Sequence, residues 1–579
     1  MLDHLIQGAT LVDGTGAPSR TADVGIRDGR IVSIADPGTT GEPAASTEDA
    51  TGLILSPGFV DPHTHYDAQL FWDPYATPSL GHGVTTVAGG NCGFTLAPLN
   101  PARPDDADYT RRMMCRVEGM ALAALEEGVP WGWSSFGEYL AALDGHTAVN
   151  AGFMVGHCAL RRYVMGPDAV GGQPTPAQLE AMVALLRQSM AEGAWGLSTT
   201  QSSTHSDGDG QPVASRHASR EELLALSRAV GEHEGTQIEA IVAGCLDQFA
   251  EDEIDLLVDM SAAAGRPLNW NVLTIDAAVP ARVPRQLLAS SRARAAGGRI
   301  IALTMPILTP MNMSLGTFCA LNLIPGWGEV LALPVPERIV RLADPDVRAE
   351  MLRRADSPEA GVFRRLADFG RYVIGDTYSE ANAGLSGRVV RDIAAERGRD
   401  PFSTLVEICS ADRLRTVLWP MPTDNDQASW DLRRDTWQHP DVMLGGSDAG
   451  AHLDRMCGAP YTTRFLGDCL RRRRLVPVEQ AVRMLTADPA ELFGLRDRGT
   501  VALGNHADLV LFDPERIDAG PATLVHDLPG DSPRLDSRAE GVVSVRVNGV
   551  ETVREDKLTG AVPGTVLRSG RDTRTVPTR

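Results

Sequence analysis

The chain has 579 residues, of which 43% are hydrophobic and 22% charged, so it can form a large core and does not have the composition of a disordered protein. Its formal net charge of −21 argues against nucleic acid or an anionic membrane as the main partner, because both attract surfaces rich in lysine and arginine. Lys557 is the only lysine, which argues against any mechanism that needs a buried lysine, such as a Schiff base or a carboxylated lysine between metal ions.

The cysteines and the N-terminal segment indicate the compartment. The eight cysteines contain no C-x-x-C pair and are interpreted as reduced thiols, as in cytosolic proteins. The first residues, MLDHLIQGATLVDGTG, contain neither a basic segment nor a long apolar run, so we expect no signal peptide and no membrane-spanning helix. The sequence therefore predicts a cytoplasmic protein.

The two ends of the chain have β-strand patterns. Short apolar runs alternate with turns near the N-terminus, where Asp28-Gly29 is a hairpin signal, and again near the C-terminus, where Asn548-Gly549 is another. We predict that 1–53 and 497–579 together form one small, composite β-sandwich-like domain. The alternative is two unrelated β appendages.

The middle of the chain alternates strand-like and helix-like segments, which predicts βαβ units and a parallel sheet. One helical pattern has Pro176 near its start, and another has the capping-box pair Ser219 and Glu222. Eight strand segments predict an α/β fold, a (β/α)8 TIM barrel over 54–496, with an open doubly wound sheet as the alternative. The strand segments are 54–62, 84–90, 151–157, 194–200, 236–243, 267–274, 299–305 and 442–448.

The interval between the seventh and eighth predicted strands is much longer than an ordinary barrel connection of about 2–6 residues. It contains helical patterns of its own, for example ERIVRLADPDVRAEMLRRA. We therefore predict that 306–440 is an inserted subdomain that covers one end of the barrel.

Barrel enzymes carry their reacting groups at the carboxyl ends of the strands, and polar side chains follow several of the predicted strands. His63 and His65 stand two residues apart in an extended segment, so both imidazoles point to the same side. With Cys92 and Asp448 from other strand ends, they predict a zinc-type metal site. The alternatives are a pair of polar caps for the histidines, a buried core thiol for Cys92 and a helix N-cap for Asp448.

Four further polar residues lie in or at the end of predicted strands. Glu239 lies in the fifth strand, and Asn269 and Asn271 lie in the sixth. His157 ends the third strand, and three roles stay open for it: contact with substrate, contact with a carboxylate, or a core histidine whose nitrogens are satisfied inside the protein.

Several motifs together resemble a known group of enzymes. SPGFVDPHTHYDAQ, GVTTV, GNCGF, GHCALRRYVMG, GAWGLSTT, GGSDAGAH and the closing LTADPAELFGLRDRGTVALGNHADLVLFDPERI resemble the amidohydrolase superfamily, in particular the branch of the N-acyl-D-amino-acid deacylases. The resemblance implies metal ligands at His63, His65, Cys92 and Asp448, with Asp448 also the proton shuttle. That branch uses a cysteine where relatives use a carboxylated lysine, in agreement with the single lysine here.

The sequence departs from this family at the fifth and sixth strands. The deacylases carry a histidine at the end of each, whereas the corresponding segments here, TQIEAIVAG and PLNWNVLT, contain none. A carboxylate binds zinc, so Glu239 is a candidate replacement ligand, while Asn271 is a candidate substrate contact. We expect one tightly held zinc ion, with Glu239 beside it or holding a weaker second ion.

The sequence thus predicts a metal-dependent hydrolase of amide-like C–N bonds. It would use metal-activated water, with Asp448 as general base and then general acid, and would act on a small acylated amine or N-acyl-D-amino acid. The substrate carboxylate would need an arginine, and Arg161, Arg162 and Arg455 are equally placed candidates. The alternatives are an amidohydrolase acting on another amide, a carbamate or an ester, and a non-catalytic binding barrel. No oligomeric state is predicted.

Overall fold

The computed structural model describes residues 1–578, which form two compact units. The first unit consists of Met1–Thr309 together with the chain from Trp430 onward, and the second is Pro310–Ser429. The second unit lies inside the predicted insertion at 306–440. Within the described residues, no helix is both long enough and apolar enough to cross a membrane.

Strands from both ends of the chain form one nine-stranded sheet, so the two terminal segments do share a sheet. Ile54–Pro57 lies at its centre, parallel to Leu2–Leu11 on one side and antiparallel to Leu509–Phe512 on the other. A hairpin turns at Asp28-Gly29 and another at Asn548-Gly549, as predicted. The remaining strands are Arg20–Arg27, Arg30–Ala35, Ala44–Asp49, Val542–Val547, Val550–Arg554 and Lys557–Leu558.

The middle of the chain supplies parallel strands at all eight predicted positions. Three strands form one parallel sheet: Phe59–Asp61, Val84–Gly89 and Asn150–Phe153. Six form a second parallel sheet, in the order Val155–Gly156, Gly196–Thr200, Gln237–Ile241, Pro267–Trp270, Arg299–Thr304 and Val442–Leu444. The third predicted strand is divided between the two sheets at Met154. No strand pairing within residues 1–578 joins the last strand to the first, so the backbone ladder is not a closed barrel.

The predicted first strand, 54–62, is two strands in different sheets. Ile54–Pro57 belongs to the terminal sheet, and only Phe59–Asp61 is parallel to its neighbour. Gly58 lies between them, and a Cβ there would be 2.1 Å from the Thr85 hydroxyl oxygen, so only glycine fits at this crossing. The terminal sheet therefore extends past the predicted boundary at residue 53.

The parallel strands pack on both faces. One face contributes Val60, Ala88, Met154, Ile301 and Leu303 to a small cluster with Trp195 and Phe493. The other face packs in a much larger cluster with the helices. Because both faces are buried, the strands consist mostly of continuous apolar runs.

The two helices of the first unit that the sequence predicts begin at the predicted residues. Thr175 and Gln178 form a reciprocal capping box with Pro176 in the first turn, and Ser219 accepts from the Glu222 amide. The α-helices are Asp105–Val117, Leu122–Gly128, Phe136–Leu143, His157–Met165, Pro176–Ala191, Arg220–Gly231, Glu251–Ala264, Arg282–Ala296, Tyr461–Gly467, Val478–Leu485 and Ala487–Phe493. A further helix, Gln427–Thr436, begins in the second unit and ends in the first.

The second unit is mostly helical and has its own core. Trp327, Phe369 and Phe402 pack together there, with the two phenylalanine ring centroids 4.6 Å apart. Its α-helices are Gly328–Leu331, Val335–Ala343, Pro345–Ala355, Val390–Arg397 and Pro401–Ala411, and its paired strands are Tyr372–Ile374 and Leu418–Pro420.

Candidate metal centre

The two predicted histidines follow the first parallel strand and are almost completely buried, His63 at 0% and His65 at 1% exposure. Backbone hydrogen bonds hold their segment on both sides. The amide of Thr64 donates to the carbonyl of Ala88, and the amide of His65 donates to the carbonyl of Ala449. The histidine segment is thus fixed between the ends of the second and eighth parallel strands.

Cys92 joins the histidines from the end of the second strand. Its φ of +55° is in the left-handed region that non-glycine residues rarely adopt, and such residues concentrate at functional sites. The Cys92 amide donates to Oε2 of Glu239 at 2.8 Å, which holds this turn in place. The thiol sulfur lies 3.5 Å from Nε2 of His63. One ligand-type atom from each of His63, His65 and Cys92 lies within 4.8 Å of the other two.

Asp448 reaches the same place from the loop after the eighth strand. Its Oδ1 is 3.1 Å from Nε2 of His65 and 3.5 Å from Nε2 of His63. It also has a left-handed φ, of +59°. Its side chain is 21% exposed, whereas the two histidines are buried, so the carboxylate is the part of the cluster that solvent or a ligand can reach.

The electrostatics favour a cation in this cluster. Burial, together with the charge of Glu239, raises the pKa of the Cys92 thiol well above its usual value. Burial also acts to raise the pKa of Asp448, but the contacts with His63 and His65 outweigh it and hold that pKa well below its usual range. A bound divalent ion would instead lower the pKa of the Cys92 thiol, since a thiol that coordinates a metal loses its proton.

The donor set fits a zinc-type ion. Two imidazoles, a thiol and a carboxylate are the ligands that zinc prefers. Nε2 of His65 is buried and has no hydrogen-bond partner, although it faces Asp448. A buried nitrogen without a partner costs free energy, and a metal ion would satisfy it.

Glu239 lies at the cluster but is not one of the three residues whose ligand atoms converge. It is fully buried, and burial raises the pKa of its carboxyl to about 8. Its Oε2 accepts from the Cys92 amide, while its Oε1 has no partner. The Oδ1 atoms of Asn269 and Asn271 are also buried and without a partner. The fifth strand, the sixth strand and the residue that follows the sixth therefore present buried oxygens without hydrogen-bond partners.

His157 contacts a carboxylate, which is one of the three roles left open by the sequence. Its Nε2 is 2.8 Å from Oε1 of Glu222 and its Nδ1 is 2.9 Å from the hydroxyl oxygen of Thr199. Both ring nitrogens thus have partners inside the protein, which does not favour a contact with substrate. Glu222 also pairs with Arg161, so its side chain does not complete the capping box predicted with Ser219.

Sequence reasoning missed two residues of the site, Glu118 and His452. Oε1 of Glu118 is 3.5 Å from Nδ1 of His65, and Nε2 of His452 is 3.6 Å from Oδ2 of Asp448. Glu118 caps the C-terminus of the helix Asp105–Val117, where the helix dipole disfavours a negative charge. An acidic residue at a helix C-terminus is therefore the one sequence feature that could have pointed to Glu118. His452 lies four residues after Asp448, but no helix or strand connects them, so no sequence pattern pointed to it.

With this geometry established, comparisons with known proteins identify the family. A model described as Amidohydrolase family matches residues 46–555. D-aminoacylase from Alcaligenes xylosoxydans xylosoxydans is 31% identical, covering 98% of this chain and 97% of that protein. A crystal structure of D-aminoacylase has a TM-score of 0.64 at 28% identity, covering 98% of this chain and 100% of that one.

A further solved structure is N-acyl-D-glutamate deacylase from Bordetella bronchiseptica in complex with zinc and a phosphonate inhibitor. It has a TM-score of 0.65 at 27% identity and covers 98% of this chain and 100% of that one. Together with the matches above, it covers both the parallel strands and the terminal sheet. The chain belongs to the amidohydrolase family, in its D-aminoacylase branch.

Proposed function

We propose that this enzyme hydrolyses the amide bond of N-acyl-D-amino acids at the centre formed by His63, His65, Cys92 and Asp448. Family membership makes it a metal-dependent hydrolase of C–N bonds, and the relatives named for N-acyl-D-amino acids support this substrate class. The observation that carries the proposal is the convergence of the His63, His65 and Cys92 donor atoms within 4.8 Å, with Asp448 in contact with both histidines.

The metal would be a single, tightly held zinc ion. His63, His65, Cys92 and Asp448 would hold it, and Glu239, with one unsatisfied buried oxygen, would stand beside it or hold a weaker second ion. When bound, the ion supplies a Lewis acid that polarises the substrate carbonyl and makes water more acidic. The buried side of the cluster excludes bulk water, which strengthens these electrostatic interactions.

Asp448 would transfer the proton. Its pKa is held well below the usual range by the two histidines, although burial opposes this shift, so at neutral pH it is a carboxylate ready to accept a proton. It would take a proton from the attacking water and return it to the nitrogen of the leaving amine as the C–N bond breaks. The products are then the free carboxylic acid and the D-amino acid.

We assign the contact with the substrate carboxylate to Arg455. Each of the three candidate arginines has a carboxylate partner, Glu222 for Arg161, Asp106 for Arg162 and Asp454 for Arg455. Arg455 has the most exposed side chain of the three, at 22% against 0% for Arg161 and 13% for Arg162. Its backbone amide donates to the carbonyl of His452, whose ring nitrogen Nε2 lies 3.6 Å from Oδ2 of Asp448.

Asn271 would be a further substrate contact. Its buried Oδ1 has no partner, and a Cβ added at Gly446 would lie 3.0 Å from that oxygen and 3.4 Å from Cβ of His63. The amide is therefore close to the histidine segment.

Around this centre, we propose that the eight parallel strands form the closed barrel typical of the family, with the segments 1–53 and 497–579 as the composite β domain.

The test combines metal analysis with a matched substrate set. The purified protein is analysed for zinc per chain and assayed for hydrolysis of N-acetyl-D-amino acids, their L-enantiomers, the corresponding N-acetyl-D-amino-acid amides, and a carbamate and an ester of similar size. We expect about one zinc, hydrolysis of the D-amino acids, loss of activity with a chelator and recovery with zinc. Hydrolysis restricted to another amide, a carbamate or an ester would show that the enzyme acts on that class and not on N-acyl-D-amino acids. Zinc binding without any hydrolysis would indicate a non-catalytic binding barrel.

A further inference from the structure

The two histidines of the centre differ at their second ring nitrogen. Nε2 of both rings faces Oδ1 of Asp448, at 3.5 Å for His63 and 3.1 Å for His65. On the opposite edge of the His65 ring, Nδ1 faces Oε1 of Glu118 at 3.5 Å. Nδ1 of each ring is buried and makes no hydrogen bond, but a carboxylate within ion-pair distance is found only behind Nδ1 of His65 among the described residues. A carboxylate thus stands behind the His65 ring and not behind the His63 ring.

Glu118 is held firmly in this position. Its backbone amide donates to the carbonyl of Met114 and so continues the last turn of its helix, and its carbonyl accepts from the amide of His452. Its side chain is 3% exposed. One residue therefore connects a helix end, the loop that carries Asp448 and the ring of His65.

The position of this carboxylate is energetically costly without a partner. Burial of a carboxylate is unfavourable, and the C-terminal end of a helix carries a partial negative charge that repels it. In the part of the chain that the structure describes, His65 is the residue that contacts its carboxylate as a possible cation or donor. The pairing is the compensation that makes the burial of Glu118 tolerable.

We propose that Glu118 is a positioning residue for the metal centre, acting through His65. Its negative charge, 3.5 Å from Nδ1 of His65, favours the proton on that nitrogen, which leaves the lone pair on Nε2 and orients the ring toward Asp448 and Cys92. A carboxylate behind a ligating imidazole also increases the basicity of the nitrogen that binds the metal. This inference rests on the proposed metal site, with His65 as one of its ligands.

The test is the zinc affinity of Glu118→Gln, measured by competition with a chromophoric chelator. Glutamine keeps the size of the side chain and leaves the backbone bond to His452 intact, but it removes the charge. Loss of a partner behind a ligating histidine typically weakens metal binding about 10–100-fold, and we expect a loss of that size. The visible spectrum of the cobalt-substituted protein should change as well, because a weaker imidazole donor alters the ligand field.

Glu222→Gln is the matched control. Glu222 is also a buried carboxylate beside a buried histidine, with its Oε1 2.8 Å from Nε2 of His157, but His157 is not one of the converging ligands. We expect the zinc affinity of this variant to equal that of the wild type, even if its unfolding midpoint falls. Unfolding of both metal-free variants shows whether the fold is intact.

Three results would decide the matter. Zinc binding by Glu118→Gln within twofold of the wild type would overturn the role of Glu118 and leave the proposed function standing. A wild-type protein that binds no zinc would overturn both. If Glu118→Gln does not fold, Glu118→Asp takes its place: it keeps the charge but withdraws it by one methylene group, so weaker zinc binding than the wild type supports the role and equal binding refutes it.

Discussion

The substitution Glu239→Gln tests the electrostatics of the centre most directly. The Glu239 carboxyl is fully buried, accepts one hydrogen bond from the Cys92 amide and has one oxygen without a partner. Burial raises its pKa from 4.5 to about 8. In the metal-free protein the group is therefore mostly protonated at neutral pH, whereas in the unfolded chain it is ionised.

This difference sets the size of the expected effect. A carboxyl whose pKa is raised on folding is neutral in both states at low pH and reduces stability as the pH rises past its unfolded pKa of 4.5. At about 1.36 kcal/mol per pH unit, the cost is about 1 kcal/mol at pH 5 and about 3 kcal/mol at pH 7. Glutamine is always neutral, so metal-free Glu239→Gln should be more stable than the wild type by about these amounts.

Urea unfolding of both proteins after chelation, at pH 5 and pH 7, measures the effect. A variant that is equal to or less stable than the wild type at pH 7 would refute the reasoning. Metal content gives a second result from the same samples. On the single-ion proposal, both proteins bind about one zinc, whereas two zinc ions in the wild type falling to one in the variant would make Glu239 a ligand.

The other predictions concern single residues. Cys92→Ala should fold but lose zinc and activity, and full zinc occupancy by elemental analysis would contradict its role as a ligand. Asp448→Asn should lower turnover by more than the roughly 10²–10⁴-fold typical of acid–base catalysis alone, and a variant that keeps more than a tenth of the wild-type rate would exclude Asp448 from the mechanism. Burial lowers the pKa of His82 to about 4, so the wild type should lose about 2 kcal/mol of stability between pH 7 and pH 4.5 as the unfolded chain takes up a proton. His82→Gln should show a correspondingly flatter pH dependence of unfolding, and equal slopes would assign the acid sensitivity to other groups.

The parallel strands could be predicted because each is a short apolar run bounded by turn residues. Buried strands of this kind are recognisable one at a time. The division of 54–62 between two sheets could not be predicted, since Ile54–Pro57 and Phe59–Asp61 are both apolar and nothing in the run itself distinguishes their partners. That choice depends on contacts with Leu509–Phe512, more than 400 residues away in the sequence.

The candidate site could be predicted to the extent that its residues lie at strand ends. His63, His65, Cys92 and Asp448 satisfy that rule, because parallel strands bring their carboxyl ends to one edge. Glu118 does not, since it ends a helix in a long connection, and only the folded chain shows that this helix end faces His65. The role of His157 was undecidable for the same reason: its partner Glu222 is 65 residues further along the chain.

The terminal sheet has a consequence for synthesis of the chain. Ile54–Pro57 emerges early from the ribosome, but its antiparallel partner Leu509–Phe512 follows about 450 residues later. At about 5–20 residues per second, the edge of this strand stays unpaired for roughly 20–90 s. An exposed strand edge can pair with another chain, so the nascent protein passes through an interval of aggregation risk that ends only when its last strands are made. Slower translation or truncation after residue 508 would prolong that interval or make it permanent.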